Sequence, residues 1–285
     1  MTSTRKVHIA YFLAIHSATF LVIGYPFYGL YGILYLAGKP LPLRERFLAA
    51  ILLRKEENMD WKKHHRILII TGHFGSGKTE MSINLALERR AAGEEVTVVD
   101  LDIINTYFRI RDKDEALNKA GVKTLSTGVK ARAVDIPALD PAIDAALLYD
   151  KGRVIVDVGG NPSGARALAR YRPTLEETGY EQLFVINSNR PETKTPEQVI
   201  KFMEDTQATS GTQVTGLFNT AHFLKDTTAD DVVEGLKLAE AVSDQTGLPL
   251  LGTVCKRELV DEVKARTNDL YILPIDLFFR DQWML

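Results

Sequence analysis

Residues 67–79 read ILIITGHFGSGKT, and no other stretch limits the fold so strongly. Ile67, Leu68, Ile69 and Ile70 form an apolar run of the kind that fills a strand buried on both faces. Directly after it, Gly72, Gly77, Lys78 and Thr79 occupy the fixed positions of the pattern G-x-x-x-x-G-K-[ST]. Residues 79–92 hold few β-branched side chains and neither Gly nor Pro, so a helix is expected there. Strand, glycine-rich bend and helix, in that order, make an anion site. Gly72, Gly75 and Gly77 allow a backbone path along which successive N–H groups, that of Ser76 included, converge on one point. The helix start adds its positive dipole end. A nucleoside triphosphate suits this bend: Lys78 would face the β- and γ-phosphates, Thr79 would ligate Mg²⁺, and Glu80 closes the nucleotide-contacting segment.

The rest of the chain alternates strand-like and helix-like segments, which predicts an α/β fold: a mostly parallel sheet with helices on both faces. Strands are expected at 96–99, 154–156, 183–186, 214–218 and 250–254, and helices around 112–120, 141–149, 197–206 and 230–244. Ligands in such sheets bind beyond the carboxyl ends of strands. Asp100, Asp102, Asp157, Asn187 and Asn219 all fall there. Asp157 follows three β-branched apolar residues, the place for a carboxylate that holds Mg²⁺ through water, and Gly160 completes a D-x-x-G turn whose N–H would meet the γ-phosphate. A helix cap is the alternative for Asp157. Asp102 is expected to orient water or contact Mg²⁺ and Asp100 to support the strand end and Thr79, unless either caps the turn at 105–109. Arg109 and Arg111 lie in a switch-like stretch or on a solvated helix face. Asn219 offers both donor and acceptor to an adenine edge, or simply makes a turn. The guanine-reading pattern N-K-x-D is absent, which favours ATP over GTP.

Composition narrows the function classes. A net charge of −2 indicates no nucleic-acid surface. The single cysteine, Cys255, excludes an intrachain disulfide and any multi-cysteine metal site within one chain, and suits a cytoplasmic setting. The six histidines have no metal spacing, and His64 and His65 read as surface residues. Charge is uneven: residues 1–58 hold seven Lys/Arg against three Glu. Within that extension, 7–37 is apolar and carries no Lys, Arg, Asp or Glu, long enough to span a bilayer though interrupted by Gly24, Pro26, Gly29 and Gly32. The heavier basic flank follows it, which would leave the glycine-loop domain in the cytoplasm. Two readings stand open for 1–58: a membrane anchor, or an over-extended reading frame with translation starting at Met59. In both, 59–285 is the nucleotide-binding domain.

Together these residues resemble the MinD/ParA/CobQ-CobB group of phosphate-loop ATPases, the branch that also holds nitrogenase iron protein and the metal-centre maturation ATPases. The resemblance rests on GHFGSGKT, the D-x-D at Asp100/Asp102, DVGG at 157–160, and Asn219 followed by LPLLG at 248–252. It covers about 66–255. It implies ATP and Mg²⁺ as ligands, Asp102 near the attacking water, Asn219 at the base, and a homodimer around the nucleotide. The group's signature lysine at the second loop position is His73 here, and its paired cysteines are missing. The resemblance points first to an Mg²⁺-dependent ATPase that switches a protein partner. The alternative is an ATP-dependent small-molecule kinase or ligase of the dethiobiotin synthetase or cobyrinate amidase kind, with Lys130 and Arg132 facing an anionic acceptor. A third reading is a membrane-associated nucleotide-binding protein with little turnover. The last residues, 277–285, are either a membrane-targeting foot or a packed terminus.

Overall fold

The computed structural model describes residues 65–102, 110–126, 141–149, 151–222, 224–267 and 270–278, together with 35–36 and 39–40. The chain divides into two units, Met1–Asp60 and Trp61–Leu285. In the first, Tyr35–Leu36 pairs antiparallel with Lys39–Pro40. The remainder of the apolar run 7–37 lies outside the described residues, as do Arg109, Lys130, Arg132 and 279–285. Among the described residues no helix is long and apolar enough to cross a membrane.

The second unit is an α/β fold built on eight parallel strands. In chain order these are β1 (Ile67–Gly72), β2 (Val96–Asp100), β3 (Val122–Ser126), β4 (Arg153–Asp157), β5 (Glu181–Ile186), β6 (Gly216–Asn219), β7 (Leu250–Lys256) and β8 (Tyr271–Ile275). Their spatial order is β8-β7-β6-β5-β1-β4-β2-β3, so β1 lies inside the sheet with β5 and β4 on either side. Parallel strands require crossovers, and helices supply them. The helices are α1 (Lys78–Ala91), α2 (Asp114–Lys119), α3 (Pro141–Tyr149), α4 (Pro162–Ala169), α5 (Arg172–Thr178), α6 (Pro196–Ser210), α7 (Ala229–Thr246) and α8 (Val260–Arg266).

Alternation along β1 shows why the strand is apolar throughout. Leu68 and Ile70 join the core on one face, with Met81 and Leu85 of α1 and Leu117 of α2. Ile67 and Ile69 join the other, with Ile143 and Leu147 of α3 and Leu175 of α5. Phe184, Ile186 and Leu217 extend the sheet's hydrophobic surface against Val199 and Met203 of α6 and Val242 of α7. Each such side chain, taken fully out of water, contributes about 1.5–3 kcal/mol. α6 and α7 begin with reciprocal caps, Thr195 with Gln198 and Thr228 with Asp231, and both end at a left-handed glycine.

Six strands stand where the apolar runs predict them. The two edge strands do not show in such runs. β3 has only β2 beside it, so its sequence, VKTLS, keeps polar residues. β8 contains Pro274, whose missing N–H is tolerated because β7 is its single neighbour.

Candidate functional site

β1 ends in the glycine bend at the middle of the sheet. Gly75 (φ 70°) and Gly77 (φ 84°) take left-handed backbone that side chains resist. Gly77 is also the N-cap of α1, and no side chain caps the helix, so its first amides are left for a ligand. Ser76 Oγ is buried without a hydrogen-bond partner. Lys78, only 6% exposed, donates from Nζ to the His73 carbonyl at 2.9 Å. His73 itself turns away: its ring packs edge-on against Phe202 of α6, with centroids 4.9 Å apart.

Register brings the carboxylates to this bend. Asp157 at the end of β4 is the cross-strand partner of both Ile70 and Asp100. Its carboxylate is buried, accepts a hydrogen bond from the Thr79 side chain, and leaves Oδ1 without a partner. Burial first, then the neighbouring Asp100 charge, push the Asp157 carboxyl up to about 7, while Lys78 and Thr79 oppose the shift. Burial in turn lowers the Lys78 ammonium below its usual range, against the attraction of Asp157 and Asp102. Asp100 accepts from the Asp102 N–H at 2.9 Å, which makes it a brace for the strand end. Asp102 Oδ1 lies so close to Gly159 that a Cβ there would meet it at 2.9 Å. Gly160 presses on the bend: a Cβ would fall 2.5 Å from the Phe74 N and 2.6 Å from Lys78 Nζ.

Among the described residues no three His, Cys, Asp or Glu side chains form a metal cluster. The donor set at Thr79 and Asp157 is one hydroxyl and one carboxylate with an unpartnered buried oxygen. Mg²⁺ takes few protein ligands and completes its shell with phosphate oxygens and water, so these residues fit it. The fold brings Gly72, Gly75, Ser76, Gly77, Lys78, Thr79, Asp102, Asp157 and Gly160 to one place.

Two expected contacts lie elsewhere. Both Glu80 carboxylate oxygens accept from the Phe278 N–H at 3.0 Å, pinning the segment after β8 to the first turn of α1. Asn219 is fully buried and its amide is engaged inside the fold. It donates to the Val232 carbonyl (3.0 Å) and Thr253 Oγ1 (2.9 Å), and accepts from the Ala221 N–H (3.2 Å). Its amide therefore has no free edge for adenine; it is the turn-forming asparagine. Asn219→Ala should cost about 2–4 kcal/mol in denaturant unfolding, because paired buried groups lose their partner. Preference between bases should not change in that variant.

A cleft lies beside Gly77 and takes Thr220, His222, Lys256 and Leu277 in its walls. His222 Nδ1 sits 2.7 Å from the Thr220 carbonyl, which holds the ring over the bend. Residue type alone marked neither His222 nor Arg190 as part of this site. What marks them is position: Arg190 lies on the loop after β5, the neighbour of β1, and His222 on the loop after β6, the next strand out.

No protein-family model matches the chain. No curated protein matches it. Among solved structures it is similar to the signal recognition particle receptor FtsY of Elizabethkingia anophelis in complex with GDP, at 18% identity and TM-score 0.49, over 74% of this chain and 64% of that one. It is also similar to FtsY of Thermotoga maritima, at 20% identity and TM-score 0.48, over 75% of this chain and 71% of that one. A third is the 54 kDa signal recognition particle protein of Aeropyrum pernix in complex with GDP, at 19% identity and TM-score 0.47, over 74% and 46%. The chain thus spans less than two thirds of the first and third of these.

Proposed function

We propose that this chain is an Mg²⁺-dependent ATPase of the MinD/ParA/CobQ-CobB kind, in which hydrolysis switches its hold on a protein partner in the cytoplasm. One observation carries the reading: a buried Asp157 carboxylate, one oxygen unpartnered, beside Thr79 and Lys78 at the mouth of an uncapped helix. The amides of the bend and Lys78 bind the phosphates. Thr79, Asp157 and Asp102 would hold Mg²⁺, and the ion would supply charge neutralisation on the phosphates. Asp102 also orients water. The base lies in the cleft walled by Thr220 and His222, and the missing N-K-x-D pattern supports adenine over guanine.

A switch is supported by how tightly Gly160 meets the bend. No Cβ fits there, so a terminal phosphate entering between Gly160 and Lys78 displaces the turn that leads directly into α4. The test is calorimetric titration of the full chain with ATP, GTP and ADP, with and without Mg²⁺, followed by ADP release with and without cell extract. The expected result is Mg²⁺-dependent ATP binding tighter than GTP binding, and slow turnover that extract raises. Failure to bind either triphosphate would sink the reading, and a preference for GTP would overturn its base assignment.

A further inference from the structure

The loop after β5 is tightly built. Asn187 is 1% exposed and organises it. Its carbonyl accepts from Thr193 Oγ1 (2.9 Å) and from the Arg190 N–H (3.3 Å), and its side-chain oxygen accepts from the Asn189 N–H (3.0 Å). The Thr193 N–H then donates to the Arg190 carbonyl at 3.1 Å. From this frame one long side chain crosses to the phosphate bend. Arg190 Nε donates to the Gly75 carbonyl at 2.7 Å, and Asn187 Nδ2 donates to the same oxygen at 3.4 Å. The guanidinium lies so near that a Cβ on Gly75 would sit 2.7 Å from its Cζ.

A guanidinium presents its donors in a rigid fork. With Nε committed to Gly75, the two terminal amino groups have no hydrogen-bond acceptor among the described residues. The Arg190 charge also acts on Lys78. Two cations therefore share the field of one bend, an arrangement that a polyanion relieves. No cation arrives from the second loop position, where the His73 ring is packed on Phe202.

We infer that Arg190 supplies, from within the same chain, the second cation that grips the terminal phosphate of a bound triphosphate. This rests on the nucleotide site proposed above and adds to it a residue and a consequence. In hydrolysis a water oxygen bonds to the terminal phosphorus while the bond to the bridging oxygen breaks. That oxygen keeps the electron pair and leaves on the diphosphate, and the water's proton departs with inorganic phosphate or to solvent. The Arg190 fork neutralises charge on the transferring group as this happens. Because the cation comes in cis, turnover needs no second copy of the chain.

The test compares wild type, Arg190→Ala and Arg190→Lys by ADP and ATP titration and by turnover across a hundredfold range of protein concentration. Expected for Arg190→Ala is a fall in kcat of about 10³-fold, the low end for an arginine of this role. ADP affinity should stay within about threefold of wild type, since the diphosphate does not reach the fork. Arg190→Lys keeps a charge but loses the fork and should recover only part of the rate. Wild-type turnover per chain should not depend on protein concentration. Equal losses of ADP and ATP affinity would reduce Arg190 to a prop for the loop, and turnover rising with protein concentration would place the cation in trans; either overturns the inference. A wild type that binds ATP and turns over while Arg190→Ala matches it defeats this assignment alone. A wild type that binds no triphosphate defeats the nucleotide reading as well.

Discussion

Lys78→Ala should lose ATP binding by about 10- to 100-fold and the remaining turnover by a further 10²- to 10³-fold. The first factor is the worth of a hydrogen bond to a charged group, about 1.5–3 kcal/mol. The second is the cost of removing one preorganised charge from a transferring group. The structure adds a reason why Arg190, whose Nε is held on the Gly75 carbonyl, does not take its place. Lys78 is the positive charge set directly against Asp157 and Asp102, and Nζ already bonds the bend through the His73 carbonyl. Without it the bend keeps two carboxylates against an incoming triphosphate, so repulsion compounds the lost contact. Calorimetric titration and ADP release on the purified variant measure both factors. A Lys78→Ala protein that binds and hydrolyses like wild type would show that the bend is not the triphosphate site.

Much of this site is legible in the residues because its parts are local. A strand, a glycine bend and a helix follow one another in 67–91, and each is imposed by the types of residue present. Asp157 is readable for a similar reason: a strand buried on both faces admits a carboxylate only at its end. The parts that sequence reading misses are non-local. That Asp100 and Asp157 are cross-strand partners follows from the register of β2 on β4, which no single segment contains. That Arg190 reaches Gly75 follows from β5 lying next to β1, although the two residues are 115 apart in the chain. Asn219 fails as a base reader because Thr253 of β7 and Val232 of α7 claim its amide first, and both are strangers in sequence. Edge strands β3 and β8 escape notice because an edge does not demand continuous apolar residues. The short helices α4 and α5 each carry a Pro, and α4 a Gly as well, which read as turns.

Asp157→Asn should separate stability from function, moving them differently with pH. In the nucleotide-free protein the Asp157 carboxyl is pushed from 3.8 up to about 7, first by burial and then by Asp100. A carboxyl raised on folding binds its proton more tightly in the native state than in the unfolded chain. The native state therefore gains from that proton fully below pH 3.8, and loses the gain as pH rises through about 7. Wild type without nucleotide should show an unfolding temperature that falls between pH 5 and pH 8, while the asparagine variant, with no proton to lose, should lack that part of the slope. Scanning fluorimetry across this range, without divalent ions, measures it. Function should go the other way. The variant keeps an acceptor for the Thr79 hydroxyl but no negative oxygen for Mg²⁺, so added Mg²⁺ should no longer tighten ATP binding, and turnover should fall by at least about 10²-fold. The same slope in both proteins would mean that Asp157 does not titrate there. Wild-type turnover in the variant would move the metal to another carboxylate, with Asp102 the next to substitute. A residue that burdens the empty fold and is needed only when metal and triphosphate arrive is what a ligand-driven switch requires: binding then relieves a cost built into the resting state.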